Sequence, residues 1–120
     1  MSERVLVVDD SAFQRTVVMD ALEPAFEVVG EAENGAEAIE VFDELAPDAV
    51  SMDVVMPEMT GIEATAAIKE QSPETTVVMC TSVDQREKMM EAVKAGADGY
   101  VTKPVDADEL VAEFESQLDR

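Results

Sequence analysis

Short apolar runs alternate along this chain with stretches whose apolar residues recur at helical spacing. Arg4 to Val8 (RVLVV) is a compact β-branched run, the mark of a strand buried on both faces, and it ends abruptly at Asp9 and Asp10. Ser11 can cap a helix with Phe13, Val17, Ala21 and Leu22 along one face, stopped by Pro24. Phe26 to Gly30 predicts a second strand, and Asn34-Gly35 opens a helix carrying Ala38, Ile39, Phe42 and Leu45 that closes near Pro47. Ala49 to Met52 is a third strand. It delivers Asp53 at its carboxyl end and turns through Met56, Pro57 and Gly61 into a helix reaching about Gln71, before Pro73. Thr75 to Cys80 predicts a fourth strand, finishing at Thr81-Ser82. Asp84 can cap the next helix, which runs through Met89, Met90 and Val93 to Gly96. Gly99 to Thr102 is a short fifth strand that meets Lys103-Pro104, and Asp106 caps a last helix with Leu110, Val111, Phe114 and Leu118 on one face.

Five strands alternating with five helices predict an α/β fold, a doubly wound parallel sheet covered on both faces through right-handed crossovers. Functional sites in such folds lie beyond the carboxyl ends of the strands. Here those ends present Asp9 and Asp10, Glu31, Asp53, Thr81 and Ser82, then Thr102 and Lys103.

At 120 residues, with no linker, repeat or low-complexity run, the chain is expected to form one domain over residues 1–120. Its apolar runs are too short for a membrane span or a signal peptide, so a cytoplasmic protein is expected, away from membranes. The single cysteine, Cys80, ends an apolar run and reads as a buried small hydrophobe rather than a catalytic thiol. The absence of histidine excludes Ser/His and Cys/His nucleophile pairs, a histidine base or zinc ligand, and a phosphohistidine carrier. Any chemistry falls to carboxylates. A formal charge of −20 opposes approach to a phosphate backbone, so nucleic acid is excluded as a partner. Such charge also destabilises a compact state unless salt screens it, the Debye length falling to about 3 Å at 1 M. That is the pattern of proteins from salt-loving cells; an acidic surface kept for solubility is the alternative, and composition does not choose.

A carboxylate at the end of a buried strand needs its charge offset, which directs attention to what surrounds Asp53. With 28 acidic residues, adjacent acids such as Asp9 and Asp10 arise by chance, and a solvated turn before a helix is the plain reading. Their position changes the balance, because two carboxylates at one strand end and Asp53 at a neighbouring end repel unless a divalent cation joins them. Oxygen ligands suit Mg²⁺ and not zinc. Lys103, held between a strand end and a proline, can aim its ammonium back over the site; the alternative is an ordinary surface lysine. Thr81 either caps a turn or donates to an anion held there. Tyr100, Met89 and Met90 read as packing residues as readily as functional ones.

Taken together, V-L-V-V-D-D-S at 5–11, D-V-V-M-P-E-M-T-G at 53–61, C-T-S at 80–82, A-G-A-D-G-Y at 95–100 and T-K-P at 102–104 resemble the receiver domain of two-component response regulators. The likeness covers the whole chain, which is similar to the stand-alone CheY type. It implies a flavodoxin-like sheet of strand order 2-1-3-4-5, an order for which CheY is a standing example. It implies that Asp53 is the phosphoacceptor, attacking a phosphohistidine on a sensor histidine kinase of the CheA type. Mg²⁺ would be held by Asp10, Asp53 and the backbone carbonyl of Val55, with Asp9 acting mainly through water. Lys103 and Thr81 would bind the phosphoryl group, and Thr81 and Tyr100 would switch the surface of the fourth helix, fifth strand and fifth helix. A chemotaxis output follows, to a flagellar or archaellar motor or its adaptor, from a monomer reset by a possible phosphatase. The Lys103-Pro104 bond is expected to be cis.

Two positions depart from the enteric pattern. Val55 stands where a polar residue is usual and Val83 where an acid is, both flanking the path of a hydrolytic water, so phosphoryl lifetime and removal partner are expected to differ. Two other functions fit the same residues. A phosphorelay shuttle would pass the phosphoryl group to a second histidine, and a Mg²⁺-dependent aspartyl-phosphate phosphatase would need a further general acid and a substrate pocket.

Overall fold

The computed structural model describes residues 3–118, in the order β1 (Arg4–Val8), α1 (Ala12–Leu22), β2 (Glu27–Ala32), α2 (Gly35–Leu45), β3 (Ala49–Met52), α3 (Gly61–Gln71), β4 (Thr76–Thr81), α4 (Arg86–Ala95), β5 (Gly99–Thr102) and α5 (Ala107–Leu118). All strand pairings are parallel and the sheet order is β2-β1-β3-β4-β5. This is the doubly wound arrangement that the alternating pattern predicts.

Because successive strand residues point to opposite faces, β1 feeds two cores at once. Leu6 and Val8 join Val50, Met52, Val77 and Met79 under Ala38, Phe42, Ala64, Ile68 and Ala92 of α2, α3 and α4. Val5 and Val7 join Ala49, Val78, Cys80 and Val101 under Val18, Leu22, Leu110 and Phe114 of α1 and α5. Each large side chain fully buried this way is worth roughly 1.5–3 kcal/mol, and Phe114 also packs tilted on Phe26 with ring centroids 5.9 Å apart.

Side-chain caps set the helix starts. Ser11 accepts from the Gln14 amide, Asn34 from Glu37, and Thr60 forms a reciprocal capping box with Glu63, while Asp106 accepts from the Asp108 and Glu109 amides. At the amino-terminal end of the sheet, Lys69 Nζ donates to the carbonyls of Pro73 and Thr75 and to Asp98 Oδ2, which also accepts from the Val77 amide. That knot ties α3, β4 and the α4–β5 turn together, away from the strand ends that carry the acids.

Four local expectations are corrected. Phe13 lies in the first turn of α1 and is 72% exposed; the buried face is Val18, Ala21 and Leu22. Asp84 does not cap α4, since the residue flanking the helix is Gln85, which makes no side-chain cap bond. β2 starts at Glu27 rather than Phe26 and runs on to Ala32, because pairing with β1 continues through Val8. β4 likewise begins at Thr76 rather than Thr75, while it finishes at Thr81 as the sequence predicts, pairing there with Thr102 of β5.

Candidate functional site

Hydrogen bonds continuing past the strand ends bring the acids and the lysine together. The Asp9 amide donates to the Ala32 carbonyl at 3.0 Å, the Asp53 amide to Val8 at 3.0 Å and the Lys103 amide to Thr81 at 2.8 Å. The Lys103-Pro104 peptide bond is cis. After Asp53 the chain makes a tight loop, with Glu58 at φ 70°, and returns so closely that the Gly61 amide donates to the Val54 carbonyl at 2.9 Å. A Cβ on Gly61 would lie 1.7 Å from the Asp53 carbonyl oxygen, so only glycine lets α3 start against the loop that carries Asp53.

Lys103 Nζ donates to Asp9 Oδ2 at 2.6 Å and reaches Asp53 Oδ2 at 3.5 Å. Asp9 Oδ1 accepts from the Ser11 amide at 2.9 Å, and Asp53 Oδ1 from the Val54 amide at 2.7 Å. Both carboxylates are buried, Asp9 at 2% and Asp53 at 7% exposure, whereas Asp10 is open to solvent. Burial pushes the Asp53 carboxyl above its ordinary value and the charge of Asp9 adds to this; the Thr81 hydroxyl, the Lys103 ammonium and the Val54 amide pull it partly back. Burial alone would lower Lys103, but its hydrogen bond to Asp9 and the charges of Asp53 and Asp9 outweigh it, so the ammonium is held above its usual range. Burial raises the Cys80 thiol to about 11, which leaves it neutral packing rather than a nucleophile.

Asp9, Asp10 and Asp53 each offer an oxygen within 4.8 Å of the others. Three carboxylates converging with one lysine leave surplus negative charge, and an all-oxygen donor set fits Mg²⁺. Thr81 is buried at the rim, its Oγ1 accepting from the Val83 amide at 3.3 Å. Tyr100 is half-buried, and its hydroxyl donates to the Val83 carbonyl at 2.6 Å. Val55 is 63% exposed, immediately beyond Asp53 and Val54.

Not every strand-end residue joins the cluster. Glu31 is exposed and engages Arg15 at 2.6 Å, and Ser82 and Thr102 are also exposed. Sequence reasoning passed over Arg15, because an arginine in a helix normally belongs to the solvated face. Its Nη1 instead donates to the Asp9 carbonyl at 2.7 Å. It also passed over Gly61 as a contact, although the turn signal around it was visible.

With this geometry in place, the likenesses to known proteins have a physical basis. The sequence profile of the response regulator receiver domain matches residues 5–115. The chain is 56% identical over 104 residues to the chemotaxis protein CheY of Halobacterium salinarum, 87% of each chain, and 42% identical over 119 residues to CheY of Bacillus subtilis, covering 98% of this chain and 99% of that one. The solved complex of CheX, CheY, BeF3 and Mg²⁺ from Borrelia burgdorferi matches at a TM-score of 0.91 and 26% identity, over 95% of this chain and 87% of that one. The chain belongs to the response regulator receiver family. Within it, the chain is a receiver of the CheY chemotaxis type, a class of signalling switch in two-component systems.

Proposed function

We infer that Asp53 accepts a phosphoryl group from a CheA-type sensor histidine kinase and that the phosphorylated chain signals to a motility motor or its adaptor. The observation that carries this is Asp53 itself, a nearly buried carboxylate at a strand end, beside Lys103 and converging with Asp9 and Asp10. Asp10, Asp53 and the Val55 carbonyl would hold Mg²⁺, with Asp9 acting through water. When bound, Mg²⁺ supplies positive charge that relieves repulsion between the carboxylate and the phosphoryl oxygens.

One Asp53 oxygen attacks phosphorus, the O–P bond forms, the P–N bond to the kinase imidazole breaks, and its electron pair returns to the imidazole nitrogen. Lys103 stands where its ammonium can turn from Asp9 to a phosphoryl oxygen, because it already lies within 3.5 Å of Asp53. Thr81 donates its hydroxyl to another phosphoryl oxygen. Tyr100 moves with it, since Tyr100 holds the Val83 carbonyl while the Val83 amide holds Thr81. That linkage connects the site to the surface of α4, β5 and α5. Residues 1–120 act as one receiver domain, cytoplasmic and monomeric, and the BeF3- and Mg²⁺-containing relative supports both the metal and the acceptor chemistry.

Val55 and Val83 bear on the reverse reaction. Their side chains cannot hydrogen-bond a hydrolytic water, so Val55→Asn and Val83→Glu are each expected to change the dephosphorylation rate, by roughly tenfold for the double variant, the scale that positioning effects reach. Decay of the phosphorylated protein measures it, and rates equal to wild type would remove these residues from the account.

Phosphotransfer tests the main reading. A phosphorylated CheA-type kinase should lose its label to the wild-type chain when Mg²⁺ is present and keep it when offered Asp53→Asn. Transfer that persists in Asp53→Asn would assign the acceptor elsewhere.

A further inference from the structure

Asp10 is the exposed member of the acid cluster, and its direction depends on how its two neighbours are fixed. Ser11 is held by the first main-chain bond of α1, from the amide of residue 15 to the Ser11 carbonyl at 2.9 Å, and Asp9 by the Arg15 side chain, whose Nη1 donates to the Asp9 carbonyl at 2.7 Å. The guanidinium is aimed by a third contact, Nε to Glu31 Oε1 at 2.6 Å, which anchors it to β2. The fork is well sheltered, with the Arg15 side chain 13% exposed. Asp9 is then fixed at four points: its amide by Ala32, its carbonyl by Arg15, and its two carboxylate oxygens by Ser11 and Lys103.

We propose that Arg15 is a positioning residue for the divalent-cation site, clamping the Asp9–Ser11 turn so that the Asp10 carboxylate faces Asp53. This rests on the reading of Asp9, Asp10 and Asp53 as the Mg²⁺ site and deepens it by naming what orients the ligands. The role belongs to the planar fork and not to the charge: Nε and Nη1 are separate donors held at a fixed spacing in one plane, toward Glu31 and the Asp9 carbonyl, whereas an ammonium offers its donors from a single atom on a flexible stem and does not hold those two acceptors in that geometry. Charge alone predicts the opposite outcome, since removing a cation from beside an acidic cluster strengthens cation binding.

The test is calorimetric titration of Mg²⁺ alone into wild type, Arg15→Ala and Arg15→Lys in concentrated KCl, with thermal melting of each in chelator. The proposal expects both variants to bind Mg²⁺ about tenfold more weakly, the scale typical of groups that orient metal ligands, at little change in melting temperature. Arg15→Lys keeps the charge and much of the stem, so it carries the test if Arg15→Ala does not fold. Unchanged or tighter Mg²⁺ binding in the variants would overturn the proposal, as would a lower melting temperature with an unaltered dissociation constant. Wild type that binds no Mg²⁺ would overturn the underlying metal reading and this inference with it, which is a distinct result.

Discussion

Gly61→Ala will be among the most damaging single-methyl additions this chain can receive. The added Cβ would sit 1.7 Å from the Asp53 carbonyl oxygen and 2.8 Å from its carbonyl carbon, and both are backbone atoms with no rotamer through which to escape. Overpacking in a tight site costs about 1–3 kcal/mol when side chains can move, and here the backbone must move instead, so a loss of about 3 kcal/mol or more is expected. For a domain of this size that lowers the melting temperature by roughly 10 °C. The displaced segment is the one that presents Asp53 and the Val55 carbonyl, so phosphoryl acceptance should fall even at temperatures where the variant is folded. Melting followed by circular dichroism in high salt checks the first part. A melting temperature within a degree or two of wild type would mean that the close approach is not needed.

Asp53→Asn should do the reverse to stability while abolishing the chemistry. In the folded protein burial holds the Asp53 carboxyl above its ordinary value of 3.8, so between that value and the folded one the native state binds more protons than the unfolded state. Stability therefore falls as pH rises through that interval, and the burden is fully present above it. Asparagine removes the charge and keeps an oxygen for the Val54 amide, while Lys103 retains its shorter partner, Asp9. The gain at neutral pH in metal-free protein is expected to be on the order of 1–3 kcal/mol, the usual burden of an incompletely compensated buried polar group. It should shrink on acidification and vanish below about pH 3.8. Denaturant unfolding of both proteins in chelator across this range measures it; an advantage independent of pH would refute the electrostatic cause.

Much of the site was legible because strand ends are legible. An apolar β-branched run that stops at an acid, as at Val8-Asp9 and Met52-Asp53, marks both the end of a strand and the edge where α/β sites form. The two-sided core followed from strands without a polar face. What escaped lay in contacts that sequence pattern does not encode. Arg15 acts through a backbone carbonyl, and Tyr100 is held by the Val83 carbonyl, an acceptor every residue possesses. Phe13 obeys helical spacing yet is exposed in the first turn of α1, whose buried residues all lie in its second half. Phe26 is apolar and buried but lies before β2, because burial beneath Phe114 does not require strand pairing.

The central claim, that Asp53 is a phosphoacceptor served by a Mg²⁺-binding acid cluster, is tested most directly by intact-mass spectrometry after incubation with a small-molecule phosphodonor. Wild type and Asp53→Asn would be compared in high salt, each with Mg²⁺ and with chelator. A single phosphoryl adduct that needs both Mg²⁺ and Asp53 is the predicted result; folded wild type that acquires no adduct, or an adduct that survives in Asp53→Asn, would contradict it.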